Sequence, residues 1–147
     1  MEINTASAAI SFSKKLEEDC ARFYEDLSQR YSKAEDVFLP FVKENQKNIV
    51  QIERAYYGVI TDALEGCFAF NLNPDEYTLK TELAEEASYS DALDKAVEIE
   101  EKMIKFYSDA AEQSKSLMAD VPRAFTLIVR KRGGRVSKLR SLLGEEG

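Results

Sequence analysis

The sequence contains no histidine, only two cysteines and three prolines, and no long uninterrupted apolar run. Without histidine the chain cannot form a Ser-His or Cys-His nucleophile pair. Two cysteines are too few for a disulfide framework. The apolar runs fall far short of the roughly 20 residues that a membrane helix needs. The composition therefore argues against these kinds of enzyme and predicts a protein without disulfides or membrane spans.

The residues that are present are typical of a single globular domain. The chain has 147 residues, of which 44% are hydrophobic and 32% charged. Its first residues show neither the basic region nor the apolar core of a secretory signal, so we expect a cytoplasmic protein. The net charge of −7 is unevenly spread, because seven basic and no acidic residues lie between Val121 and Gly144. We expect this basic segment to contact acidic groups, either elsewhere in the fold or on another molecule.

Four helices are predicted from the recurrence of apolar residues at every third or fourth position. They cover about residues 6–31, 33–65, 89–116 and 121–143. Thr5 or Ser7 is suited to cap the first helix, and Ser88 begins a capping region for the third. Asp120 is suited to cap the fourth. We therefore predict an all-α fold.

Proline and glycine predict where these helices bend or end. Pro40 removes one backbone hydrogen bond inside the second helix, which predicts a bend there. Gly66 and Gly144 predict the ends of the second and fourth helices. The long connection over 67–87 contains Asn73-Pro74-Asp75-Glu76, a start signal for a short helix.

One segment of the first helix recurs in the third. Residues 17–26 and 100–109 are identical at five of ten positions: two leading glutamates, a phenylalanine, a tyrosine and a final aspartate. A glutamate six residues before Phe-Tyr in both helices resembles the rubrerythrin-like branch of the ferritin-like superfamily. The resemblance covers nearly the whole chain and implies one domain, 1–147, in which two helical hairpins are joined by a long crossover. A four-helix bundle of unrelated topology is the alternative.

The same family has a di-iron site at the centre of the bundle, and its ligand positions can be located here by alignment. The first and third helices of the family supply one glutamate each. Its second and fourth helices carry Glu-x-x-His after a motif that resembles Phe38-x-x-Phe41-Val42 and Phe125-x-x-Ile128-Val129. The six corresponding positions are Glu17, Asn45, Asn48, Glu100, Arg132 and Arg135. Two carboxylates are kept, while amides and guanidinium groups replace the other ligands.

Helical spacing also favours an inward direction for these six side chains, with a solvated edge position as the alternative for the two glutamates. Glu17, for example, shares a helix face with Cys20 and Tyr24. Arginine cannot lose its proton and so cannot ligate iron, but its guanidinium group matches carboxylates bidentately. We therefore predict that the two arginines pair with the two glutamates and that the asparagines complete the hydrogen bonds. No metal or cofactor is expected at this centre.

Three functional hypotheses remain open. The first is a non-catalytic, metal-free ferritin-like protein that acts through protein association; the resemblance implies a homodimer or other homo-oligomer, and an unknown protein partner is also considered. The second is a rubrerythrin-like oxidoreductase or metal-binding protein with an altered ligand set. The third is an anion- or nucleic-acid-binding module, although the acidic chain disfavours nucleic acid. Its candidate residues are Arg130, Lys131, Arg132 and Arg135.

Two adjacent glycines bear on this third hypothesis. Gly133-Gly134 within the fourth helix predicts a kink, a break or close packing. If the helix breaks there, exposed backbone N–H groups beside arginines would suit an anion.

Overall fold

The computed structural model describes residues 2–32, 35–59, 68–116 and 120–146. Four long helices account for most of them: α1 (Ala6–Arg30), α2 (Glu35–Val59), α3 (Tyr89–Gln113) and α4 (Asp120–Glu146). Two short strands, β1 (Ile3–Thr5) and β2 (Phe68–Leu72), and two 3-10 turns, Pro74–Glu76 and Ser114–Ser116, complete the elements. The prediction of a helical fold is confirmed. None of the helices in these ranges is long and apolar enough to span a membrane.

Two helices begin at the caps that the sequence indicated. The Thr5 hydroxyl accepts a hydrogen bond from the Ala8 backbone N–H at 3.1 Å, so Thr5 rather than Ser7 caps α1. Ser88 and Asp91 form a capping box at the start of α3, with distances of 3.1 and 3.0 Å. Both caps satisfy backbone N–H groups that have no partner within the helix.

The short helix predicted in the crossover is also present, as the 3-10 turn Pro74–Glu76. The Asn73 side chain caps it by accepting from the Asp75 N–H at 3.1 Å. Farther along, the aromatic ring of Tyr77 packs edge-on against Phe106, with 5.2 Å between ring centroids. Its hydroxyl donates to Asp109 at 2.6 Å. These contacts hold this part of the crossover against α3.

Some predicted helix ends differ from the structure. The predicted stop at Gly144 was wrong, because α4 continues to Glu146. No glycine within the described ranges has a positive φ, so Gly144 does not form the left-handed cap that ends many helices. α4 starts at Asp120, which therefore lies in the first turn rather than at the cap position. The predicted stop at Gly66 lies outside the described residues. α2 continues through Pro40, and the bend predicted there stays a prediction.

Consecutive helices pack against each other as antiparallel pairs, α1 with α2 and α3 with α4. In the first pair, the rings of Tyr24 and Phe38 stack with 5.6 Å between centroids. Lys14, nearer the start of α1, pairs at 3.3 Å with Glu53, nearer the end of α2. α2 also packs against α4, and α1 against α3. Apolar side chains from all four helices form the core, including Leu16, Leu27, Ile52, Leu93, Met103 and Phe125.

The two short strands were not predicted. β1 and β2 pair antiparallel, with Ile3 opposite Leu72 and Thr5 opposite Phe68. The pairing joins the segment before α1 to the crossover that leads to α3. Ile3 and Leu72 are both buried, so the sheet extends the apolar core.

Candidate functional site

A layer of polar side chains crosses the buried centre of the four helices. It consists of the six positions singled out from the sequence, namely Glu17 of α1, Asn45 and Asn48 of α2, Glu100 of α3, and Arg132 and Arg135 of α4. None of the six is more than 3% exposed. We call this set the central polar layer. Its members occupy inward helical positions, as their spacing predicted.

The guanidinium group of Arg132 lies between the two buried carboxylates. Its Nη1 donates to Glu100 Oε1 at 2.7 Å, and its Nη2 donates to Glu17 Oε2. Burial alone would lower the pKa of Arg132, but the charges of Glu100 and Glu17 outweigh it and hold that pKa well above its ordinary value. The permanent positive charge of Arg132 therefore pairs with two carboxylates from different helices.

Arg135 forms a second link, which differs in part from the predicted one. Its Nη1 donates to Glu100 Oε2 at 3.3 Å, but its Nε donates to Glu44 Oε1 at 3.2 Å rather than to Glu17. Its Nη2 donates to the backbone carbonyl of Phe41 at 3.0 Å. The Glu44 side chain is 36% exposed, so this link connects the buried layer to the surface.

The two asparagines do not act alike. Asn48 Nδ2 donates to Glu17 Oε1 at 3.1 Å and so completes the hydrogen bonds of that carboxylate. Asn45 Nδ2 donates instead to the backbone carbonyl of Glu17 at 3.2 Å. The prediction for the asparagines is therefore confirmed for Asn48, while Asn45 fixes the backbone of α1 against α2.

Two tyrosines complete the layer in a crossed pattern. The Tyr24 hydroxyl of α1 donates to Glu100 of α3 at 2.6 Å, and the Tyr107 hydroxyl of α3 donates to Glu17 of α1 at 2.8 Å. Burial, followed by the nearby glutamate charge, raises the pKa of both tyrosines well above the ordinary value. Both therefore remain protonated donors.

Cys20 lies beside the layer, with its Sγ 3.7 Å from Glu100 Oε2 and 3.8 Å from Arg132 Nη1. Burial, reinforced by the charge of Glu100, raises the pKa of this thiol to about 12. Burial alone would raise the pKa of Glu100 too, but Arg132, Arg135 and the Tyr24 hydrogen bond together lower it. The thiol is therefore protonated and the carboxyl ionised near neutral pH.

The central polar layer does not fit the di-iron site implied by the family resemblance. Such a site takes four carboxylates and two histidines, and the chain has no histidine. Oxygens of both buried glutamates already accept hydrogen bonds from guanidinium groups, which cannot ligate a metal and repel cations at short range. Nowhere in the part of the chain that the structure describes do three or more Cys, Asp or Glu side chains cluster in a way that could hold a metal ion.

The anion site predicted on α4 is not formed as a unit. Arg130 and Lys131 are exposed, whereas the two arginines of the central polar layer are buried in ion pairs. Neighbouring residues of a helix point in different directions, so the four cations do not share one surface. α4 is also unbroken at Gly133 and Gly134, and a Cβ atom at either would meet nothing within 4 Å. Neither a break nor close packing accounts for the glycines.

Comparison with protein-family models, with curated proteins and with solved structures gives no match in any of the three.

Proposed function

We propose that this chain is a metal-free, non-catalytic bundle of the ferritin-like type that acts by associating with other protein molecules. The proposal rests on Arg132, which is fully buried between Glu17 and Glu100. Its guanidinium group supplies the positive charge between two inward carboxylates that a metal ion supplies in a di-iron bundle. In this proposal the arginine has replaced the metal and stabilises the fold in its place.

The protonation states of the buried groups support a non-catalytic role. A general acid or base works best when its pKa lies near the working pH. Here the pKa of Glu100 is lowered from 4.5, away from neutrality, and the Cys20 thiol pKa is raised to about 12. The hydroxyl groups of Tyr24 and Tyr107 also have raised pKa values. All four residues are fully buried, so a substrate has no direct access to them.

The symmetry of the central polar layer supports the ferritin-like topology. Each antiparallel helix pair contributes a glutamate from its first helix and two polar residues, three positions apart, from its second. The tyrosine seven residues after each glutamate bonds to the glutamate of the other pair. Two equivalent helical hairpins related by an approximate twofold axis would produce this pattern.

Metal analysis tests the proposal. Protein expressed in iron- and manganese-supplemented medium, and gel-filtered without chelator, should contain less than about a tenth of an equivalent of any transition metal by mass spectrometry. One or two equivalents that Glu100→Ala removes would contradict the proposal and favour an altered metal-binding set. Glu101→Ala is the matched control, because Glu101 is the exposed neighbour of Glu100 on the same helix.

The association part of the proposal has a separate readout. If the buried groups are unreactive, the function of the bundle depends on its surface. The sign of the surface charge differs between regions. Sedimentation velocity at several concentrations distinguishes a chain that assembles with itself from a monomer that requires a different partner. A self-assembling chain should show a sedimentation coefficient that rises with concentration.

A further inference from the structure

A groove between α2 and α4 has an excess of positive charge. It has a volume of about 700 Å³, and its lining includes four cations, Lys43, Lys47, Arg54 and Lys131. Val50 and two glutamines are the other described residues of the lining, and none of these described residues is a carboxylate. The chain as a whole carries a net charge of −7, so this groove is opposite in sign to the rest of the molecule.

The four cations of the groove are free to attract an external anion. All four are exposed, and within the described ranges none of them forms an ion pair. Lys131 donates to the neutral side chain of Gln51 at 3.2 Å. By contrast, Lys14 of α1 pairs with Glu53 and Lys95 of α3 pairs with Glu98. The charge of the groove is therefore not neutralised by neighbouring acids.

The order of the side chains along α2 indicates what kind of anion fits. Lys43, Lys47, Val50 and Arg54 recur every three or four residues, so they lie along one side of the helix over roughly 16 Å. Val50 is 45% exposed and comes between cations in this row. A ligand lying along the row therefore meets positive charge, then apolar surface, then positive charge again.

We propose that this groove binds an acidic polypeptide segment, presented by a protein partner, in which an apolar side chain lies between carboxylates. The proposal rests on the proposed function, since it names the surface through which the bundle associates. A length of about 16 Å corresponds to about five residues of extended peptide or three turns of a helix. Carboxylates complement the cations, and the apolar side chain covers Val50.

A nucleic acid fits these observations less well. Its phosphates offer charge at regular intervals, but the bases of a single strand bind best by stacking on aromatic side chains, and the described lining of the groove has none. A strand longer than the groove would also extend over the acidic remainder of the chain.

Fluorescence anisotropy with a labelled eight-residue probe, Glu-Glu-Leu-Glu-Glu-Leu-Glu-Glu, tests the proposal on the full chain. The double variant Lys47→Glu/Lys131→Glu should weaken binding about tenfold or more at low salt, because two attractive contacts become repulsive. The matched control Arg123→Glu/Lys138→Glu makes the same change in net charge at exposed positions outside the groove, and should weaken it about threefold or less. Val50→Ser should weaken binding of this leucine-containing probe more than it weakens binding of an all-glutamate probe.

Several outcomes would overturn the proposal. Equal losses in the groove variant and its control would mean that net charge, rather than the groove, attracts the probe. Tighter binding of a 20-nucleotide oligo-dT at the same salt would assign the groove to nucleic acid. Self-association that only the groove variant abolishes would assign it to a second copy of the chain. Each result is independent of metal content, so failure here is distinguishable from failure of the metal-free assignment.

Discussion

Substitution of the buried guanidinium group gives the most direct test of how the fold is held together. Arg132→Met keeps an unbranched apolar stem but removes the cation shared by Glu17 and Glu100. Glu100 would still have Arg135 at 3.3 Å. Glu17 would keep its hydrogen bonds from Tyr107 and Asn48. Among the described contacts it would have no positively charged partner. The variant therefore leaves a buried carboxylate without compensation.

The size of the effect follows from the charge balance of the layer. Two buried carboxylates and two buried guanidinium groups sum to zero in the native protein, whereas the variant leaves an excess negative charge. Breaking a buried pair by removing one partner costs about 3–5 kcal/mol. With about 2–4 °C per kcal/mol for a domain of this size, the melting temperature should fall by about 6–20 °C. Such a loss is a large fraction of the about 5–15 kcal/mol that stabilises a typical domain.

Urea denaturation at pH 7, followed by far-ultraviolet circular dichroism, measures this loss. Arg140→Met is the matched control, because Arg140 pairs with Glu101 at the surface and its removal should cost about 1 kcal/mol or less. Adding Glu17→Gln to Arg132→Met should recover part of the stability, since a neutral amide replaces the uncompensated carboxylate. A loss below about 1 kcal/mol for Arg132→Met would refute the reasoning. No recovery in the double variant would do the same.

Three further predictions concern the layer and the helix beside it. The unfolding free energy should decrease as the pH falls below about 4.5, and it should decrease less in Glu100→Gln. The reason is that the pKa of Glu100 is lower in the folded state than in the unfolded state, so the stability that its ionised form contributes is lost as the pH falls through the folded-state pKa. Urea titrations between about pH 3 and pH 7 measure this. In a Cys67→Ser background, Cys20 should react with a thiol reagent at pH 8 only after unfolding in urea, because burial raises its pKa to about 12. Gly133→Ala and Gly134→Ala should each raise the unfolding free energy by about 0.5–1 kcal/mol in urea titrations, since alanine favours helix and the added methyl group meets nothing within 4 Å.

Each of these predictions has a clear contrary result. Equal dependence on pH for the native protein and Glu100→Gln would mean that this carboxylate does not contribute through its pKa. Fast labelling of Cys20 in the folded protein would show that the centre is accessible to reagents. A destabilised alanine variant would show that α4 requires glycine for a reason that the surrounding space does not reveal.

Features set by local sequence were predicted best. The caps Ser88 and Asn73 were located correctly, and Thr5 was one of two alternatives, because a capping side chain bonds to backbone only two or three residues away. The inward position of Glu17 and Glu100 followed from helical spacing, which needs no knowledge of the partner helices. Because a guanidinium group matches a carboxylate, the arginines at the aligned positions then made the ion pairs predictable.

Features set by distant contacts were missed. β1 has only three residues, too few for a periodic pattern, and its partner β2 is more than 60 residues away. The bond from Arg135 to Glu44 depends on the angle at which α4 crosses α2, which sequence spacing does not determine. The predicted stop at Gly144 depended on a left-handed backbone at that glycine, a common way for a helix to end, and Gly144 does not adopt it.

The crossed tyrosine bonds have a consequence for the way the molecule unfolds. Tyr24 and Tyr107 each satisfy a carboxylate of the opposite helix pair, and Arg132 bridges the same two carboxylates. If the two pairs separated, the Arg132–Glu17 ion pair and both tyrosine bonds would break together, and the apolar faces that pack around them would be exposed. Partial opening is therefore costly, and the two halves should unfold in one cooperative step. Native-state hydrogen exchange should accordingly give the central amides of α1 and α3 the same opening free energy.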